Sequence, residues 1–209
     1  MKFQLLVIAL TIALISLTFI SAPFPQELVL QHCGTLLGIG ILAAFTFSVS
    51  LTNLSFACGI AFLWLHILGA RWIYSYVPYD DWAVTLTGTS LSDLFGWQRN
   101  HYDRLVHFAS GLLGVAPAAE LLQKLGGMRP LGAAFMGAIS VLAIGALYEI
   151  FEWQIAVRFS PDQAEAYNGQ QGDVWDPQKD LALAGAGALL AALFLFRWAP
   201  TKIDHSDLS

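Results

Sequence analysis

The chain has 209 residues, 56% hydrophobic and 12% charged, with a mean hydropathy of +0.61. Soluble domains carry about 25% charged residues, so this composition excludes an ordinary soluble fold and points to a polytopic membrane protein. A net charge of −5 with ten Lys and Arg residues excludes a nucleic-acid footprint. The first apolar run covers Phe3 to Ile20, between Lys2 and Ser21-Ala22-Pro23. It imitates a secretory signal but is long for one, and Pro23 directly follows Ala22, so it reads as an uncleaved first helix. Pro23 and Pro25 make a short rigid turn.

A second helix is predicted over Leu28–Ser48, with Gly34 and Gly38 on one face to permit close helix contact. Ser50-Leu51-Thr52-Asn53 reads as a tight turn, and a third helix follows over Leu54–Tyr76, carrying His66 and Arg71. A polar segment from Pro78 to about Arg104 holds Asp80, Asp81, Trp82, Asp93 and Trp97. The fourth helix is expected over Asp103–Gln123, and a short basic loop from Lys124 to Pro130 leads to a fifth over Leu131–Val157. A second polar segment runs from Arg158 to Gln178. Asp176 before Pro177 is an N-cap followed by a first-turn proline, and the sixth helix runs from there to about Trp198. Its Gly185 and Gly187 are small enough for close packing. The fold class is therefore all-α, a bundle of six transmembrane helices in one domain over residues 1–200, with a polar, mobile tail at 201–209. There is no internal repeat.

Cys33 and Cys58 lie in apolar runs near opposite membrane faces and are expected to remain free thiols. In a six-span arrangement Lys2, Lys124, Arg129, Arg197 and Lys202 share one side, and Arg71, Arg99, Arg104, Arg158 and Lys179 the other. The raw count is balanced, but the second set lies beside acidic segments where ion pairing explains it. Both termini are accordingly assigned to the cytoplasm, and the polar segments face outward.

Helix alternation brings the ionisable residues to one level. Asp103 and His107, Glu149 and Glu152, and Asp176 and Asp180 each share a helix face at a spacing of three or four. A carboxylate turned to lipid is penalised by about 2.5 kcal/mol or more at mid-bilayer, so these groups should turn inward toward each other. Three uses follow. Asp103, His107, Glu149, Glu152, Asp173, Asp176 and Asp180 are candidate metal ligands, an oxygen-rich set with one imidazole. Such a set suits Mg²⁺, Mn²⁺ or Ca²⁺, or a mixed site for Zn²⁺ or Fe²⁺. Glu149, Glu152 and His107 are then candidate catalytic groups around a metal-bound water. Alternatively, Arg99 and Arg104, with Arg71, clamp an anionic substrate group. Trp153 is a further candidate substrate contact, although an aromatic belt is the simpler account of Trp72, Trp82, Trp97, Trp153 and Trp175. The third use is structural, with Arg99, Arg104 and Lys179 neutralising the acids and pinning helices together.

Plainer readings apply to single residues. A lone His107 is more often a packing residue than a ligand, and Asp176 has sufficient work as an N-cap. Glu120 and Lys124 read as a solvated pair at the inner edge, and His32 and His66 as secondary candidates. Glu149 and Glu152 are hardest to dismiss, because two like charges on one face near the membrane require a cation or a shared proton.

The segments Tyr102–Phe108, Tyr148–Trp153 and Gly172–Asp180 resemble the YjdF-type family of bacterial inner-membrane proteins. The order Asp, His, Glu, then paired Asp is more faintly similar to VanZ-like membrane proteins; here Gln178 and Lys179 separate the last acids. The resemblance implies a multi-pass inner-membrane location and brings no reaction with it. The reading is of an inner-membrane protein with a carboxylate and histidine site at its outer face, metal-binding and acting on a lipid or envelope substrate. The alternative is a non-catalytic protein whose cluster is a structural or small-ligand network. A transporter would instead gather polar groups near the midplane on broken helices.

Overall fold

A computed structural model describes residues 2–158 and 170–198 of the protein. The expected tail and most of the second polar segment lie outside the described residues. Eight helices are described: α1 (Lys2–Thr18), α2 (Pro25–Ser48), α3 (Asn53–Arg71), α4 (Tyr79–Thr87), α5 (Leu91–Phe95), α6 (Tyr102–Gly126), α7 (Pro130–Arg158) and α8 (Asp176–Trp198). No strand occurs among the described residues.

Five of these, α2, α3, α6, α7 and α8, are long and apolar enough to cross a membrane. α1 is apolar but has 17 residues. At 1.5 Å per residue that is roughly 26 Å, short of the ~30 Å hydrocarbon core. Large apolar side chains such as Phe135, Ile144 and Leu147 on α7, and Leu193 and Phe194 on α8, are exposed. Such a surface is sensible only against lipid.

α6 is the central helix and packs on α3, α7 and α8; α1 and α2 lie on α3. The two halves use different packing chemistry. α1, α2 and α3 meet through large side chains, among them Ile8, Ile39, Leu42, Phe56, Ile60 and Leu63. α6, α7 and α8 meet through small ones: Ala133, Ala134, Ala184 and Ala188 are buried. A Cβ added at Gly111 would stand 1.9 Å from the Ala184 carbonyl oxygen, and one at Gly187 2.1 Å from that of Phe108. Backbone thus meets backbone along the α6–α8 seam, as small residues allow between helices in lipid.

The sequence placed these contacts only in part. Gly187 is a close contact as expected, whereas Gly185 faces Leu142 at an ordinary 3.7 Å, and Gly111 was passed over. Gly38 meets Leu63 at 3.0 Å, but Gly34 faces open space. α3 also ends five residues before the expected Tyr76. Ile73 and Tyr74 take positive φ values of 43° and 57°, and the Tyr74 amide donates back to the Gly69 carbonyl at 2.9 Å. This turn folds the Tyr74 ring over Gly69, where a Cβ would come within 2.8 Å of it. Ring burial and the absent side chain at Gly69 outweigh continued helix.

At the opposite edge, Glu120 is not a solvated residue: it is 8% exposed. Its carboxylate accepts from the Thr52 amide at 2.8 Å and the Thr52 hydroxyl at 2.7 Å, and pairs with Lys124 at 2.7 Å. Thr52 in turn caps α3 by accepting from the Ser55 amide. Glu120 therefore ties α6 to the start of α3. Cys33 and Cys58 are free thiols, as expected.

Candidate functional site

The polar residues form two layers at the edge where α6 and α8 begin and α7 ends. The layer nearer the edge is an ion lattice between the first turn of α6 with the segment before it and the first turn of α8 with the segment before it. Arg99 directs its fork at Asp176, at 2.6 Å and 3.4 Å, and also donates to the Gln170 carbonyl at 2.9 Å. Arg104 pairs with Asp173 at 2.6 Å and reaches Asp176 at 3.5 Å. Lys179 pairs with the same Asp173 oxygen at 2.5 Å.

Amides stitch the two segments further. The Asn100 amide donates to the Gln171 side chain at 2.9 Å, and the Gln171 side-chain nitrogen donates to the Asn100 carbonyl at 3.1 Å. The Asn100 side chain donates to the Val77 carbonyl at 2.8 Å, and the Tyr102 hydroxyl to the Leu65 carbonyl at 2.9 Å. Asn100 and Gln171 were not anticipated as part of the site. The available signal was their position: Asn100 adjoins Arg99, and Gln171 lies two residues before Asp173, next to Gly172, which takes a positive φ of 79°.

Asp173 lies outside the spanning helices. The Lys179 hydrogen bond, then the Trp175 amide and the charges of Lys179 and Arg104, hold its carboxyl down at about 2, against partial burial that pushes it up. Its folded value thus lies below the ordinary 3.8, so its contribution to stability is complete above pH about 4 and is lost as the pH falls toward 2. Melts in detergent between those limits should show falling stability in the parent and a flatter profile in Asp173→Asn. His101, just before α6, is held below its usual value by burial and by the charges of Arg104 and Arg99. A neutral ring suits its contact with Arg104 Nη1 at 3.4 Å.

The deeper layer is acidic. Asp103, His107 and Asp180 each present one donor atom, and the three atoms lie within 4.8 Å of one another. His107 Nε2 stands 3.7 Å from Asp103 Oδ1 and 3.7 Å from Glu149 Oε1. Asp103, Glu149 and Asp180 are 7%, 8% and 2% exposed. Glu149 Oε1 and Asp180 Oδ1 are buried with no hydrogen-bond partner. Glu152 follows one turn after Glu149 and is hydrogen-bonded to Tyr148.

The expected ligand set therefore divides. Asp103, His107 and Asp180, with Glu149, converge in the deeper layer. Asp173 and Asp176 are held by Arg99, Arg104 and Lys179 instead. Trp153 and Trp175 are exposed, as a belt residue would be. Arg71 lies apart: it donates to the Thr18 and Ser21 carbonyls and sits over the Trp72 ring. His32 lies between Thr18 and Thr35, and His66 contacts the Tyr74 hydroxyl, so both belong to the α1–α3 core.

A family described as "predicted membrane protein (DUF2238)" matches residues 3–201. Over 194 residues the chain is 32% identical to the inner membrane protein YjdF of Escherichia coli strain K12, covering 91% of this chain and 88% of that relative. The chain belongs to the YjdF family. No solved structure matches it. The YjdF membership and the five long apolar helices together make this a multi-pass protein of the bacterial inner membrane, in contact with membrane lipid.

Proposed function

We propose that the protein holds a divalent cation between Asp103, His107, Glu149 and Asp180, and through it acts on a lipid or envelope substrate. The observation that carries this is the pair of orphaned oxygens. Glu149 Oε1 and Asp180 Oδ1 are buried without a hydrogen bond, beside a third carboxylate and an imidazole. Uncompensated buried carboxylates are costly, and a cation removes that cost. The spacing supports it. Donors that each stand about 2.1 Å from one ion are separated by roughly 3 to 4.2 Å. The 3.7 Å separations of His107 from Asp103 and from Glu149 are too long for hydrogen bonds and fall within that range, and Asp180 joins Asp103 and His107 within 4.8 Å. Three carboxylates with one imidazole suit Mn²⁺ or Zn²⁺, and Mg²⁺ or Ca²⁺ less well, since those prefer oxygen throughout. A cation here would polarise a bound water, and Glu152, one turn along α7 from Glu149, would accept its proton.

We count α1 as a sixth span, with Phe19 and Ile20 extending it through turn hydrogen bonds. Both termini then face the cytoplasm and the site faces outward. The basic residues at the site edge support this orientation, because Arg99, Arg104 and Lys179 are each ion-paired with Asp173 or Asp176. A second, structural reading is favoured for the ion lattice alone, whose ion pairs pin α6 to α8 without needing a ligand.

Metal analysis of purified protein is the test. One Mn²⁺ or Zn²⁺ per chain is expected, with affinity at least about ten-fold lower in Asp180→Asn and Glu149→Gln that still fold. A parent that takes up none of the four ions, with variants as stable as the parent, would leave the cluster as shared-proton carboxyls and end the cation reading.

A further inference from the structure

Beside the ion lattice, α6 and α8 leave an open groove of about 550 Å³, within the range of about 300–1,000 Å³ typical of small-ligand sites. Its walls change character with depth. Arg104 and Lys179 line it within the first turn of each helix, with His101 at the rim. Leu105 adjoins Arg104, and one turn deeper, roughly 5 Å toward the membrane interior, the walls become Phe108 on α6 and Leu183 on α8. Trp97 lines one side, its ring tilted against that of His101 at 4.5 Å between centroids.

The rim is cationic. Arg104 and Lys179 share a single Asp173 oxygen, at 2.6 Å and 2.5 Å. Arg104 Nε is buried with no hydrogen-bond partner. The Lys179 side chain is 48% exposed, and an ammonium with three donors retains capacity beyond Asp173. The N-termini of α6 and α8 also end at this rim and add partial positive charge. A cationic rim at headgroup level over an apolar wall at acyl-chain level matches an anionic lipid. A free inorganic anion would make no use of the lower wall.

We infer that this groove binds an anionic phospholipid, its phosphate at Arg104 and Lys179 and one acyl chain along Leu105, Phe108 and Leu183. This names the substrate class for the site proposed above, although the groove's own chemistry needs no bound cation. The test is native mass spectrometry of the full chain in neutral detergent with EDTA present, titrated with phosphatidylglycerol, phosphatidylcholine or inorganic phosphate. Phosphatidylglycerol should be retained about five-fold better than phosphatidylcholine, and Lys179→Gln should remove that preference. Ala182→Trp fills the groove from an exposed wall position, so folding is preserved, and should lower phosphatidylglycerol retention about ten-fold. Retention unchanged in Ala182→Trp, or inorganic phosphate displacing the lipid at equal concentration, would overturn the inference. Cation uptake is read separately, without chelator, in the metal analysis above: lipid retention in EDTA together with no uptake there fails the cation site alone, and uptake there without lipid retention here fails the groove alone.

Discussion

Gly187→Val is expected to lose about 3 kcal/mol or more of stability. The added Cβ would stand 2.1 Å from the Phe108 carbonyl oxygen and 2.8 Å from the Leu112 nitrogen, so the obstacle is backbone and no side chain can move aside. α6 and α8 must separate. Asp103 and His107 are on one of these helices and Asp180 on the other, so the same substitution should abolish cation uptake. Gly111→Val meets the Ala184 carbonyl in the same way and should behave alike. Gly185→Ala is the control: its nearest contact would be Leu142 at 3.7 Å, and its melting should stay within about 1 kcal/mol of the parent. Thermal melts in detergent separate the three, and equal melting of Gly187→Val and the parent would refute the backbone seam.

Arg99→Gln is expected to destabilise by about 3–5 kcal/mol, because it strands a carboxylate that is 4% exposed. Arg104 reaches Asp176 only at 3.5 Å and is already engaged by Asp173, so it gives weak compensation. Arg99→Lys should recover only part of the loss, since a point charge lacks the fork that meets both Asp176 oxygens. The informative variant is the double one, Arg99→Gln with Asp176→Asn. Removing both charges together should restore a large part of the stability lost in the single change, giving a coupling of about 1–3 kcal/mol in a double-mutant cycle. Additive single effects would show that the pair does not hold α6 to α8.

Helix alternation was enough to bring Asp103, His107, Glu149 and Asp180 to one edge, because each chain reversal returns the next helix to a known side. Helical spacing was enough to pair them by face. What it lacked was rotation about each helix axis. Asp173, Asp176 and Asp180 read alike as neighbouring acids in one polar run. The structure gives the first two to Arg99, Arg104 and Lys179 and leaves an oxygen of the third without a partner. Glu120 misled for a related reason: with Lys124 four residues on, it fits a surface pair, and its use depends on Thr52, which is 68 residues away.

By itself the sequence determined the solvent and the element type. Long apolar runs have no stable place except in lipid, and backbone groups in lipid are satisfied within a helix or a closed barrel. It also determined the level at which each ionisable group sits, since depth is simply residue count along a helix. Tertiary structure alone decided which charges neutralise one another and which remain for a ligand. That choice turns on atom separations of 2.6 Å against 3.7 Å. The first joins α6 to the segment leading into α8, whose backbones meet at Gly111 and Gly187, and the second joins α6 to α7.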